Sequence, residues 1–291
     1  MTDATANRVG FVGLGKLGEP ASRCLHRAGV PLLLFDADRS RAERIAKEFG
    51  ATVADSLADF RQCDLVVSVL PDGKITREAA LAMDLAPGAV LVDMSSSSPE
   101  DTRELSGMLR ARIVDAPVSG SVKGAIAGEL VFMVGGEAAD VARARPLLKA
   151  MGKSITHLGP VGSGHALKAI NNYIAAAGYI ACCEGLLAGK RYGLDPAKML
   201  DVIDQSSGMS YNTKGKFRQH VLPRTWGSGF GLAHMAKDVR IAARLAAETG
   251  TPFRLGERCE ALWNEAAERY GADADHTELI RLLEEATGSR L

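Results

Sequence analysis

Up to about residue 160, short apolar runs alternate with amphipathic stretches. The runs in RVGFVGLG (8–15), PLLLFD (31–36), DLVVSVLP (64–71), AVLVDMS (89–95), RIVDAPV (112–118) and LVFMVGG (130–136) predict strands. Several are hydrophobic on both faces, as strands covered on two sides must be. Between them, GEPASRCLHRAG, SRAERIAKEFG and SPEDTRELSGMLR carry apolar residues at helical spacing. Ser98 to Asp101 adds a capping box with Pro99 at the first helical position. Alternation of this kind predicts a mainly parallel, doubly wound sheet with helices on both faces.

After HLGPVGSG (157–164) the strand-like runs stop. Ala, Leu, Glu and Arg at intervals of three and four take over through ALKAINNYI, PAKMLDVIDQ, MAKDVRIAARLAAE and CEALWNEAAERY. The fold class is therefore α/β: a Rossmann-type domain over 1–162, then an all-α domain over 163–291 for substrate and oligomerisation. A helix running from near Gly164 to Tyr192 would be ~40 Å long, although Gly178, Gly185 and Gly189 weaken its pattern.

Composition narrows the class. The chain has 291 residues, 46% of them hydrophobic and 24% charged, with Lys+Arg and Asp+Glu equal at 35 each. That balance, with no basic run, gives no pull toward nucleic acid or an anionic membrane. The apolar run at 173–183 is too short to span a bilayer. Five cysteines with no C-x-x-C pair argue for a reducing compartment, and six scattered histidines suggest no metal. The N-terminal MTDATANR is polar and acid-bearing, unlike a signal peptide. A cytoplasmic enzyme is the expectation.

Candidate chemistry starts at GFVGLGKLGEP. Gly13, Gly15 and Gly18 form G-x-G-x-x-G directly after a strand and before a helix. The first glycine makes the tight turn, the second lets backbone approach a pyrophosphate, and the third lets helix pack on strand. Leu14, Lys16 and Leu17 fill the turn. Asp36 ends the second strand, eighteen positions beyond Gly18. A carboxylate there accepts hydrogen bonds from ribose hydroxyls and repels a 2′-phosphate, favouring NAD over NADP. Arg39 and Arg41 just downstream could soften that preference, and Asp36 also reads as a turn or cap residue.

With VVSVLPD, VDMSSSSP, DAPVSGSVKGAIAGEL, KAINN and MAKDVRIA following in order, the sequence resembles the 3-hydroxyisobutyrate dehydrogenase-like, or β-hydroxyacid dehydrogenase, family over nearly its whole length. The resemblance implies a Rossmann-type domain, an all-α domain and catalysis between them. It also implies reversible NAD(P)-dependent oxidation of the hydroxyl of small β-hydroxy acids. By position, it implies that Gly13 to Gly18 hold the pyrophosphate and that Leu70 and Pro71 line the adenine side. Ser96 stands near the nicotinamide ribose, where the family usually has threonine. Ser119, Gly120 and Ser121 fall in the substrate-carboxylate segment. Lys168 is the catalytic lysine, Asn172 a substrate ligand, and Lys237 a cofactor contact from the helical domain.

The residues bear on these roles unequally. On its own, the Ser119–Gly120 stretch reads equally well as an ordinary turn, Ser98 as a helix cap and Lys237 as surface decoration. Lys168 and Asn172, four residues apart on a helical pattern, share a face and can meet one ligand. An amine in a low-dielectric cleft can take the hydroxyl proton as the hydride leaves, and return it in reverse. The bland alternative is a lysine exposed at a helix start.

Three departures refine the expectation. Related decarboxylating sugar-acid dehydrogenases carry an acid three residues beyond the asparagine, where this chain has Ala175. Imine-reducing relatives replace the lysine, which is present here. Ser121 stands where the family usually has glycine. The expected reaction is thus NAD-dependent oxidation of a 3-hydroxyisobutyrate-like acid to the semialdehyde or ketone, by a homodimer or homotetramer. The alternatives are an NADPH-preferring semialdehyde reductase, of the tartronate semialdehyde kind, and a non-catalytic nucleotide-binding protein.

Overall fold

The computed structural model describes residues 9–291, so the polar N-terminal stretch lies outside the described residues. The chain forms two compact units, one ending at Lys168 and the other covering Ala169–Leu291.

The first unit is built on one sheet whose strands are β1 (Val9–Val12), β2 (Leu32–Phe35), β3 (Thr52–Val53), β4 (Leu65–Ser68), β5 (Val90–Asp93), β6 (Arg112–Asp115), β7 (Val118–Ser119), β8 (Leu130–Gly135) and β9 (Gly152–Gly159). Its helices are α1 (Gly18–Arg27), α2 (Arg39–Phe49), α3 (Gly73–Ala82), α4 (Pro99–Met108), α5 (Ser121–Ala127) and α6 (Ala138–Met151), with a 3₁₀ segment at Leu57–Gln62. Strand order is β3-β2-β1-β4-β5-β6-β8-β7, with β9 paired to β8. The run from β3 to β6 is parallel throughout, while β8 is antiparallel to β6 and β7.

Alternate residues of each central strand enter different cores. Phe11, Leu34, Val67, Val92 and Val114 pack with α1, α2 and α6 residues such as Leu25, Ile45 and Leu148. Val12, Leu33, Val66, Leu91 and Ile113 pack instead with Phe60, Ala80, Met83 and Leu105, from the 3₁₀ segment, α3 and α4. Both faces of the sheet are therefore covered, and burial on both faces is what made these strands continuous apolar runs. Ser98 caps α4 by accepting the Asp101 N–H at 3.0 Å, with Pro99 at the first position.

The second unit is all helical. Helix α7 (Ser163–Tyr192) begins in the first unit and continues into the second. It is followed by α8 (Pro196–Ile203), a π-helical stretch at Asn212–Val221, α9 (Leu232–Glu248), α10 (Arg254–Tyr270), a 3₁₀ turn at His276–Leu279 and α11 (Ile280–Thr287). The core gathers Tyr179, Phe217, Trp263 and Leu279, all buried, and the Tyr179 hydroxyl donates to the Thr277 carbonyl at 2.6 Å. A smaller cluster of Ala169, Ile241 and Ala242, with Tyr173 and Phe253 packed on it, joins α7 to α9. At thirty residues α7 is about 45 Å long, despite its three interior glycines. At Gly189 the Met199 sulfur of α8 occupies the space that a Cβ would take.

Candidate active site

In a parallel sheet every strand ends at the same edge, so the loops that follow β1, β2, β4, β5 and β6 come together there, the usual ligand edge of such folds. The sequence-predicted cofactor and carboxylate residues of the first unit all lie in these loops. Gly13 to Gly18 follow β1, Asp36 follows β2, Leu70 and Pro71 follow β4, Ser96 follows β5, and Ser119 to Ser121 follow β6 by way of β7.

The glycine turn shows why each glycine is there. Gly13 has φ +91°, and a Cβ on it would overlap the Val69 carbonyl oxygen. A Cβ on Gly18 would overlap the Gly13 carbonyl oxygen. Gly15 differs: nothing lies within 4 Å of the Cβ position. Gly13 and Gly18 are thus required by the fold, whereas Gly15 leaves backbone open to an approaching group at the start of α1. A cleft of about 440 Å³ opens beside this turn, lined by Leu14, Gly15, Lys16, Arg41 and Val122 among others. These features fit a dinucleotide pyrophosphate, which needs close backbone approach at a helix N-terminus.

Asp36 is tied to the same turn. Its Oδ2 accepts the Leu14 N–H at 2.7 Å, and its Oδ1 accepts the Asp38 N–H at 2.8 Å and an Arg41 Nη1–H at 3.2 Å. The cap of α2 is Asp38, which accepts the Arg41 N–H. On α1, Glu19 is bound by Arg44 and Arg23, and the Arg44 guanidinium first among them holds its carboxyl down at about 2.

The loops after β4 and β5 share one knot. Ser95 Oγ accepts the Leu70 N–H at 2.9 Å, and the Ser95 N–H donates to Asp93 Oδ1 at 3.0 Å. The Ser68 hydroxyl donates to that same Oδ1 at 2.9 Å. Asp93 is buried, so its carboxylate is offset by donated hydrogen bonds rather than by water. Ser96, next to Ser95 in the chain, is half-buried; Ser119 on β7 is half-buried too, while Gly120 and Ser121 are exposed. Gly120 has φ +135° and Ser121 φ +58°. The second is a left-handed conformation that disfavours any side chain.

Helix α7 carries the remaining pair. Lys168 is half-buried and Asn172 buried, one turn apart on a single helix. In the second unit, Asn172 Nδ2 donates a short hydrogen bond to Asp238 Oδ2. The Asn172 Oδ1 accepts from Asn171. Lys237 on α9 lies 3.8 Å from the other Asp238 oxygen. Asn172, Lys237 and Asp238 therefore form one group, with the buried carboxylate orienting the amide.

Residues 8–159 match the family described as the NAD binding domain of 6-phosphogluconate dehydrogenase, and residues 162–283 the family described as NAD-binding of NADP-dependent 3-hydroxyisobutyrate dehydrogenase. A protein of Dictyostelium discoideum named a probable mitochondrial 3-hydroxyisobutyrate dehydrogenase is 32% identical over 278 residues, covering 90% of this chain and 86% of its own. The chain belongs to the 3-hydroxyisobutyrate dehydrogenase-like family of β-hydroxyacid dehydrogenases. It is accordingly an NAD-binding oxidoreductase that acts on a small hydroxy acid. An NAD-dependent L-serine dehydrogenase of Pseudomonas aeruginosa is 31% identical over 296 residues, covering 97% of this chain and 99% of its own. A solved structure of Mycobacterium tuberculosis 3-hydroxyisobutyrate dehydrogenase with L-serine has a TM-score of 0.86 and 31% identity, covering 95% and 99% of the two chains.

Sequence reasoning passed over three partners of the candidate residues: Ser95 and His165 in the first unit, and Asp238 in the second. Asp238 stands beside Lys237 in the quoted MAKD, and an acid facing the apolar side of that helix was its signal. Ser95 was hidden in a run of four serines. His165 read only as one of six scattered histidines.

Proposed function

We propose that the chain oxidises the primary hydroxyl of a three- or four-carbon β-hydroxy acid, of the 3-hydroxyisobutyrate or serine type, to the semialdehyde. NAD is the preferred cofactor and Lys168 the general acid/base. The carrying observation is the pair on α7: Lys168 and Asn172 present themselves one turn apart, with Asn172 oriented by buried Asp238. Bound NAD supplies the hydride acceptor. Within the protein, the Lys168 amine takes the hydroxyl proton as the C–H electron pair leaves and returns it when the aldehyde is reduced. The Asn172 amide holds the hydroxyl or a carboxylate oxygen without adding charge. Ser119 and the backbone N–H groups of the segment after β6 are suited to the substrate carboxylate.

The preference for NAD is supported by the Asp36 carboxylate, fixed by the Leu14 N–H at the glycine turn. A 2′-phosphate there would meet that fixed negative charge, although Arg41 lies within reach. A homodimer or homotetramer is supported by Ile170 and Ile174, exposed one turn apart on α7. A reducing compartment such as the cytoplasm is supported by the five free thiols.

The test is a panel of β-hydroxy acids with NAD⁺ and NADP⁺, followed by absorbance of the reduced cofactor. Turnover of a short β-hydroxy acid with NAD⁺ is expected. Turnover confined to longer sugar acids would overturn the substrate assignment, and tighter binding of NADPH than NADH the cofactor assignment. Native mass measurement tests the assembly, for which a monomer alone is the contrary result.

A further inference from the structure

The first turn of α7 is anchored by a side chain to which neither the glycine motif nor the lysine motif assigns a role. His165 is 1% exposed and lies one turn before Lys168. Its Nε2 is 3.0 Å from the Ser95 carbonyl oxygen, and its Nδ1 is 2.8 Å from Thr102 Oγ1. A carbonyl can only accept, so Nε2 carries the hydrogen and donates it. The His165 backbone N–H donates to Asp115 Oδ2 at 2.9 Å, and the Gly162 N–H donates to Asp115 Oδ1 at 2.8 Å. Asp115 closes β6 and is fully buried. The start of α7 is thus fastened to β6 by backbone and to the loop after β5 by the imidazole.

The partner at the imidazole makes this fastening matter. Ser95 is the residue whose hydroxyl accepts the Leu70 N–H and whose own N–H donates to Asp93. Leu70 and Pro71 form the loop after β4, and Ser96 follows Ser95 directly; both are the cofactor loops assigned above. One residue, Ser95, therefore links the turn preceding Lys168 to both loops: its carbonyl oxygen accepts from His165 at 3.0 Å and its hydroxyl oxygen from the Leu70 N–H at 2.9 Å. His165, Ser95 and Asp93 are all buried, while Leu70 is half-buried. A buried imidazole retains its geometry only if both nitrogens are satisfied, and here both are.

We propose that His165 is a positioning residue for hydride transfer: it holds the Lys168 turn of α7 in register with the loops after β4 and β5. The proposal rests on Lys168 being the general acid/base. His165 touches neither substrate nor cofactor in this role. It sets the distance between the amine and the reacting carbon, where an error of about 1 Å can cost 10²-fold in rate.

Four variants of the full-length enzyme test it: His165→Leu, His165→Gln, His165→Asn and Lys168→Ala. Glutamine can still donate to the Ser95 carbonyl, whereas asparagine reaches only toward Thr102 and leucine makes neither bond. The readouts are kcat, KM and the primary deuterium isotope effect on kcat with substrate labelled at the reacting carbon. Expected for His165→Leu is a fall in kcat of about 10- to 100-fold, a raised isotope effect and a smaller change in KM. His165→Gln should recover most of kcat and His165→Asn little of it. Wild-type kcat in the leucine variant, or equal losses for glutamine and asparagine, overturns the proposal. If leucine prevents folding, the glutamine–asparagine comparison alone decides. Full activity in Lys168→Ala would instead remove the reading beneath the proposal, a separate outcome from any result at position 165.

Discussion

Gly15→Ala separates what the glycine turn does for the fold from what it does for the cofactor. A Cβ at Gly15 meets nothing within 4 Å, and its φ lies outside the left-handed region. The substitution should therefore leave the unliganded protein intact. It should even stabilise it, by about 0.4–1 kcal/mol, through the reduced freedom of the unfolded chain. The same methyl would occupy space through which a pyrophosphate must come within hydrogen-bond distance of backbone. Losing one or two such charge-assisted bonds, at about 1.5–3 kcal/mol each, weakens NADH binding by roughly 10- to 10⁴-fold. Gly18→Ala is the control, because its Cβ would overlap the Gly13 carbonyl oxygen and destabilise the turn itself. The assays are thermal unfolding without cofactor and fluorescence titration with NADH. Wild-type affinity in a stable Gly15→Ala protein would refute the claim that the dinucleotide crosses this turn.

Two further predictions follow from other parts of the structure. Asp238→Ala removes the buried acceptor of the Asn172 amide. Steady-state kinetics should show kcat/KM lower by about 10- to 100-fold, the equivalent of ~1.5–3 kcal/mol for a bond to a charged group. Asp238→Asn, which keeps one acceptor oxygen, should lose less; unchanged kinetics in both would show that Asn172 needs no orienting partner. In the second unit, His276 is held down to about 3 from an ordinary 6.5, by burial first and the Lys216 ammonium second. Because the folded-state value is the lower one, this group's stabilisation is complete above pH 6.5. It is lost as the pH falls from 6.5 toward 3, at up to about 1.4 kcal/mol per pH unit. Urea unfolding at pH 7 and pH 5 should show wild type losing about 1–2 kcal/mol more than His276→Gln over that interval. Parallel losses in the two proteins would count against the assignment.

What could be read from the sequence follows how local each signal is. The strands β1, β2, β4, β5, β6 and β8 announce themselves because burial on both faces demands unbroken apolar runs. By contrast, β9 reads GKSITHLG, is largely exposed and pairs only with β8, so no periodicity reveals it. The two-residue strands β3 and β7 are too short to leave a pattern. The glycines of α7 weakened the pattern of a helix whose Tyr179, Cys183, Leu186 and Leu187 are nonetheless buried in the core of the second unit. Among the candidate residues, the glycine turn and the helical spacing of Lys168 and Asn172 are local in the chain and were legible. The bonds from Asn172 to Asp238, Leu70 to Ser95 and His165 to Ser95 join residues 66, 25 and 70 positions apart. Only the fold brings those together. Ser121 shows a mixed case: the sequence flags the missing glycine, and only the structure shows its φ of +58°.

The most direct measurement is the single-turnover rate of NADH formation in Lys168→Ala against wild type, with NADH affinity determined alongside. If Lys168 moves the hydroxyl proton, the rate falls by at least ~10²-fold while NADH binds as before. A rate undiminished at equal affinity would contradict the role given to this amine, and with it the mechanism.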